Sequence, residues 1–237
     1  MSKDVQPCTE KRHMNILVKE AAKLLAVSEK TIYRWIKQES VPFFRVGEQY
    51  RFNRAELLEW ATSKRMKVDS SMFVEPEADQ QPLPSLAEAL ETGGIHYRVG
   101  GSTRDSVLEQ VAQLVRLPEE VDRRHLLELT LAREELASTA VGGGIAIPHV
   151  RNPVLLHVTR PTLSLCYLEQ PVDFFALDGQ PVQILFPLFS PSIKAHLGIL
   201  SRLSFVLHDP HFLSALTNQG SREEIFSLMN AAERQLG

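Results

Sequence analysis

The sequence predicts a two-domain α+β chain: a small basic head of short helices and a hairpin, and a larger acidic body in which helices layer a mixed sheet. Three observations predict it. Residues 11–67 hold 13 Lys and Arg against 6 Asp and Glu, whereas residues 68–237 hold 12 against 21. Between the halves runs VDSSMFVEPEADQQPLPS, polar, proline-bearing and without a clear period, which reads as a linker. On both sides of it, stretches of helical period alternate with stretches of period two. The expected organisation is a head at 14–66, a linker at 67–84 and a body at 85–237.

In the head, ILVKEAAKLLAV places Ala21, Ala22, Leu24 and Leu25 on a short helix. Ser28 then caps a second helix, Glu29 to Gln38, whose Ile32, Trp35 and Ile36 form an inward face. Only AVS separates the two helices, the spacing of a helix-turn-helix. FFRVGEQYRF alternates around Gly47-Glu48-Gln49 and predicts a hairpin. Asn53 and Glu56 resemble a capping box opening a third helix, with Leu57 and Trp60 inward. In the linker, Met72-Phe73 is a candidate for docking on a domain.

In the body, SLAEALET reads as a helix and IHYRV as a strand ending at Gly100-Gly101. TRDSVLEQVAQLVR puts Val107, Val111, Leu114 and Val115 on one helical face. VDRRHLLELTLARE is a further helix, followed by the loop GGGIAIPH. TLSLCYL alternates, and QILFPLF is a continuous apolar run, as in a buried strand. SPSIKAHLGILSRLSFVLHD is a long helix with Ile193, Leu197 and Leu200 on one stripe, and Ser221 to Glu224 caps the last helix.

No apolar run approaches the roughly 18 residues of a membrane span. The polar start lacks a signal-peptide core, and Cys8 and Cys166 fit no metal or redox spacing, so a reduced, cytoplasmic compartment is expected. No serine sits in a nucleophile elbow. Pro210 between His208 and His211 reads as a helix end, and no metal site is expected. His157 and Cys166 read as structural, and Asp173 and Asp178 as turn residues.

Two sets of residues carry chemistry. On the second helix of the head, Lys30, Tyr33, Arg34 and Lys37 are left outward, with Ser28 and Thr31 at its start and Arg45 and Arg51 on the hairpin. Such a face suits base edges in a major groove, with cations on phosphates around it. In the body, Gly142, Gly143 and Gly144 lead to His149 through Pro148. Glycine backbone approaches an anion closely and can aim N–H groups at it. A histidine that accepts a phosphoryl group needs a ring nitrogen free to attack, hence partial exposure, and cationic donors around the new charge. Arg133, ending the helix before the loop, and His196, near the start of the long helix, are the candidates.

The pattern EAAKLLAVSEKTIYRWIKQESVPFFRVGEQYRFNRAELLEW resembles the excisionase or MerR-like winged helix-turn-helix family. That resemblance implies DNA as a partner, with the outward residues above making the contacts. LAREELASTAVGGGIAIPHVRNP resembles the phosphorylation-site segment of phosphotransferase-system enzyme IIA domains of the mannitol/fructose class, which includes the nitrogen-regulatory IIA proteins. Arg133-Glu134, Ser138-Thr139 and Gly144 to His149 carry the pattern, with His196 after Pro191 as the second histidine. "D..PV.ILF" and "REE.F.L" match downstream, so the resemblance runs from near Pro84 to the end.

The resemblance implies a three-layer α/β/α body with a mixed sheet. It implies a phosphotransfer protein rather than a conventional enzyme: His149 as phosphoacceptor, His196 and Arg133 supporting it, no cofactor, and a phosphocarrier of the HPr or NPr kind as donor. A phosphorylation-responsive DNA-binding regulator follows, and dimerisation or tandem sites are expected because so small a head binds weakly alone. Two other readings stay open: phosphate passed to a separate sugar permease, and action on regulatory target proteins through contacts alone. The chain departs from the pattern at Val150, where glycine is common and a side chain is expected to crowd the site. It departs again at Pro187, which removes a ladder hydrogen bond and suggests a bulge or an edge there.

Overall fold

The computed structural model describes residues 15–46, 49–64, 66, 83–156 and 158–236. The hairpin tip at Gly47-Glu48, Cys8, Met72-Phe73, His157 and the linker other than Leu83 and Pro84 lie outside these. The chain divides into two compact units, the first reaching Ala61.

The first unit begins with strand β1 (Asn15–Leu17), helix α1 (Val18–Leu24) and helix α2 (Glu29–Lys37). Ala26 adopts φ +51 between the helices, letting Val27 N–H return to the Ala22 carbonyl at 2.9 Å and turn the chain. Ser28 Oγ accepts the Thr31 N–H at 3.2 Å and so caps α2. Strands β2 (Phe44–Val46) and β3 (Gln49–Asn53) pair antiparallel, and β1 joins the other edge of β3. That third strand was not legible in the pattern, which reads Ile16 and Leu17 as helix. Asn53 Oδ1 accepts the Glu56 N–H at 3.4 Å at the start of α3 (Arg54–Ser63). Ile32, Phe52, Leu57 and Leu58 are fully buried, while Trp35 and Trp60 are only half-buried and meet edge to face at 5.2 Å.

The second unit holds helices α4 (Leu86–Gly93), α5 (Arg104–Leu114), α6 (Arg123–Leu136), α7 (Ile193–Val206), α8 (Pro210–Thr217) and α9 (Arg222–Glu233). Its strands are β4 (Ile95–Val99), β5 (Ala140–Gly142), β6 (Ile145–Ala146), β7 (Thr162–Leu163), β8 (Leu165–Val172), β9 (Val182–Leu185) and β10 (Leu188–Phe189). Five form a mixed sheet in the order β4-β8-β9-β6-β5, and β7 pairs with β10. The alternation inside each strand splits its side chains between two helical layers. Ala146, Val150, Leu185 and Phe189 join the apolar cluster with Val107, Val111 and Leu126 of α5 and α6. The other face meets α7, making an α/β/α arrangement.

Several expectations shift. Leu114 is 43% exposed: the buried arc of α5 runs through Val107, Leu108, Val111, Ala112 and Val115, and Leu114 falls at its rim. The long apolar helix stops at Val206, and Asp209 caps α8 by accepting the His211 and Phe212 N–H groups. At Pro187 the apolar run is a break between two strands rather than a bulge or an edge: β9 ends at Leu185, and the Pro187 carbonyl accepts the Ser164 N–H at 3.0 Å, where β7 and β8 also break. Asp173 Oδ1 accepts Phe175 N–H and Asp178 Oδ1 accepts Gln180 N–H, both turn contacts. Cys166 is buried in the sheet, and burial pushes its thiol up to about 12. Among the described residues, no helix is long and apolar enough to cross a membrane.

Candidate functional site

His149 sits at the end of an extended run that starts at Ile145. The register against the neighbouring strand holds throughout: Ile145 pairs with Ile184, Ala146 with Leu185 and His149 with Leu188. The Pro148 carbonyl accepts the Leu188 N–H at 2.9 Å, while Pro148 has no N–H of its own to satisfy. The imidazole is therefore delivered by a strand rather than by a mobile loop.

Two contacts define the ring. Its Nδ1 lies 2.7 Å from the Ile147 carbonyl oxygen, which only accepts, so Nδ1 carries the proton and donates. Nε2 then presents a lone pair, and Arg133 Nε–H donates to it at 3.2 Å. The His196 ring faces it from the first turns of α7, centroids 5.1 Å apart and planes at 48°. All three side chains are buried: His149 is 2%, His196 3% and Arg133 6% exposed. The expected partial exposure of the ring is thus corrected, because the Arg133 guanidinium covers the nitrogen that would react.

A second layer fixes these groups. Arg133 Nη1 donates to the Ala137 carbonyl at 2.8 Å, satisfying one of the open carbonyls at the end of α6. Glu134 accepts from both the Thr139 N–H (2.9 Å) and the Thr139 hydroxyl (2.6 Å), holding the turn from α6 into β5. The Thr139 carbonyl accepts the Ile147 N–H at 3.0 Å, and Ile147 in turn holds His149. Ser138 Oγ donates to the Phe174 carbonyl and accepts the Ala140 N–H. The role of the Ile147 carbonyl has no sequence signal, since every residue has one.

The glycines do something other than expected. Gly142, Gly143 and Gly144 have φ of +83, +61 and +74, and they turn β5 into β6. Gly143 N–H donates to Asp178 Oδ2 at 2.8 Å, and the Gly144 carbonyl accepts from Gln183 and Ile184. The run forms the turn of the β5–β6 hairpin, and about 16 Å of extended chain separates Gly144 from His149. Nor does Val150 crowd the ring: it is 1% exposed and points into the apolar cluster on the opposite face.

In the first unit, Lys30, Tyr33, Arg34 and Lys37 all lie exposed on α2. Tyr33 meets Tyr50 edge to face at 6.3 Å, and the Arg45 guanidinium lies over the Tyr50 ring at 5.7 Å, so the helix and the hairpin present one aromatic and basic surface. Arg51 is half-buried and donates to Gln49 Oε1 at 3.1 Å. Ser28 and Thr31 hydroxyls bond each other at 2.9 Å within the cap.

A mixed-sheet α/β domain carrying this histidine pair, in a chain that also holds a helix-turn-helix unit, defines a phosphotransferase-system IIA domain joined to a helix-turn-helix domain. The chain belongs to the family described as "Phosphoenolpyruvate-dependent sugar phosphotransferase system, EIIA 2", which matches residues 88–232, and a "Helix-turn-helix domain" matches residues 18–65. The nitrogen regulatory protein of Pseudomonas aeruginosa is 36% identical over 148 residues, 61% of this chain and 94% of that protein. That of Escherichia coli K12 is 32% identical over 150 residues, 62% and 91% respectively. The crystal structure of Nitrogen Regulatory Protein IIA-Ntr from Neisseria meningitidis superposes with a TM-score of 0.54 at 28% identity, covering 61% of this chain and 98% of that one.

Proposed function

We propose that His149 accepts a phosphoryl group on Nε2 from a phosphohistidine carrier of the HPr or NPr kind, and that the phosphorylated state governs DNA binding by the head. The head is taken as 14–66, the linker as 67–84 and the body as 85–237. The observation that carries the reading is the fixed tautomer: Nδ1–H donates to Ile147 while the Nε2 lone pair receives Arg133. In the transfer, the carrier's P–N bond breaks as Nε2–P forms, and the electron pair returns to the carrier's nitrogen. The product ring is cationic and keeps its Nδ1 proton on the Ile147 carbonyl. Arg133 swings from Nε2 to the phosphoryl oxygens, and His196 donates from the other side. No metal, nucleotide or other cofactor enters the step.

On the DNA side, Lys30, Tyr33, Arg34 and Lys37 read the groove. Arg45 and Arg51 contact the backbone, and Ser28 and Thr31 set the angle at which α2 enters. The test is incubation of the intact chain with phosphoenolpyruvate, enzyme I and a carrier, followed by peptide mapping. Phosphate on the parent and none on His149→Ala is expected; equal labelling of His149→Ala removes His149 from the role. A chase of that phosphate into a sugar permease would favour onward transfer over regulation.

A further inference from the structure

We propose that Ser190 supplies a hydroxyl to the phosphoryl group held at His149. This rests on the phosphoacceptor reading above.

Ser190 is fully buried, and its Oγ makes no hydrogen bond with any described residue. A hydroxyl withdrawn from water with no partner is destabilising, and such groups in folded proteins call for a specific explanation. Here the surroundings supply one. Leu188 is the ladder partner of His149, and side chains of paired residues stand on the same face of the sheet. Alternation fixes the rest: Val150 and Phe189 both join the apolar cluster under α5 and α6, so His149, Leu188 and Ser190 stand on the opposite face. That is the face where the His196 ring meets His149.

Ser190 is therefore the diagonal neighbour of His149, and such neighbours on adjacent strands stand within about 8 Å of each other. An imidazole and a bonded phosphoryl group together span such a gap, so the bare histidine leaves the hydroxyl short of it. Two residues further on, Ser192 caps α7 by accepting the Ala195 N–H at 3.2 Å. Ser190 thus approaches the phosphoryl from the same end of α7 as His196, where the helix contributes positive potential. The site assembles an arginine from α6, an imidazole from α7 and a hydroxyl from the strand end. The contact is noncovalent: Ser190 O–H donates to a phosphoryl oxygen, and no bond to serine forms.

The test uses the intact chain equilibrated with phosphoenolpyruvate, enzyme I and an HPr-type carrier. The readouts are the phosphorylated fraction of His149 relative to the carrier and the ³¹P chemical shift of the phosphohistidine. Ser190→Ala should lower the equilibrium constant roughly tenfold, the effect of losing one charge-assisted hydrogen bond, and should move the shift. Ser190→Thr, which keeps the hydroxyl, should recover most of both. The unphosphorylated Ser190→Ala chain should unfold at the parent's urea midpoint or above it, because an orphaned hydroxyl is removed. An unchanged equilibrium and shift in Ser190→Ala overturn the Ser190 assignment and leave His149 standing. A parent chain that takes no phosphate on His149 overturns both.

Discussion

Arg133 divides its guanidinium between the Ala137 carbonyl at the end of α6 and Nε2 of His149. The first contact is the ordinary work of a cation near a helix C-terminus; the second closes the reactive nitrogen. With the ring 2% exposed, a carrier reaches Nε2 only after Arg133 moves aside. Arg133→Ala should therefore make His149 more reactive toward a small electrophile while making it a poorer phosphate holder. Diethylpyrocarbonate modification, followed by mass spectrometry of the His149 peptide, should be about tenfold faster in the variant. The phosphorylated fraction against a carrier should fall in the same protein by a similar factor, the charge-assisted contact being lost. An unchanged modification rate would mean that Arg133 does not shield the ring. At this scale the sequence was partly legible. Arg133, His149 and His196 stand in a recognisable order, and the fold brings them together. The tautomer set by a backbone carbonyl and the face on which Ser190 stands depend on strand register, which no local pattern encodes.

Among the elements, the contact of α4 with β7 is unusually close. A Cβ on Gly93, the last residue of α4, would lie 2.2 Å from the Leu163 carbonyl oxygen, and backbone cannot move aside as a flexible side chain can. Gly93→Ala should destabilise the body by about 1–3 kcal/mol, the usual cost of overpacking. Gly100→Ala is the control, because nothing lies within 4 Å of its Cβ position. A urea midpoint for Gly93→Ala equal to that of Gly100→Ala would show that the strand yields. The same closeness explains what patterns read well and badly. Helices α2, α5, α6 and α9 carry their own periodicity and caps, and they appear where the spacing puts them. Strand β1, the β7–β10 pair and α8 are short, and they exist through partners distant in sequence or through the Asp209 cap. The glycine run was read as an anion cradle because glycine permits both uses. The pairing of β5 with β6 shows the run to be a hairpin turn, and Asp178, 35 residues away, takes the Gly143 N–H.

Across the whole chain, charge is divided unevenly between head and body. The basic segment with 13 Lys and Arg precedes an acidic one with 21 Asp and Glu, and a phosphoryl group on the cationic His149 ring adds about one net negative charge to the acidic part. DNA binding by the intact chain should weaken steeply with salt, because each neutralised phosphate releases counterions. Replacing Arg45 and Arg51, the two proposed backbone contacts, together by Ala should reduce the slope of log K against log salt by about 2. Phosphorylation should act in two separable ways. Direct repulsion between the modified body and DNA fades above about 0.15 M salt, where the Debye length is near 8 Å. A change in how the body constrains or presents the head persists at that salt. Binding isotherms of the phosphorylated and unphosphorylated chain at about 0.05 and 0.2 M salt distinguish them, with His149→Ala as the form that cannot switch. The expected result is a shift of at least about threefold that survives at the higher salt and is absent in His149→Ala. Isotherms that superpose at both salts would break the link between phosphate and DNA, leaving a IIA domain whose helix-turn-helix responds to something else.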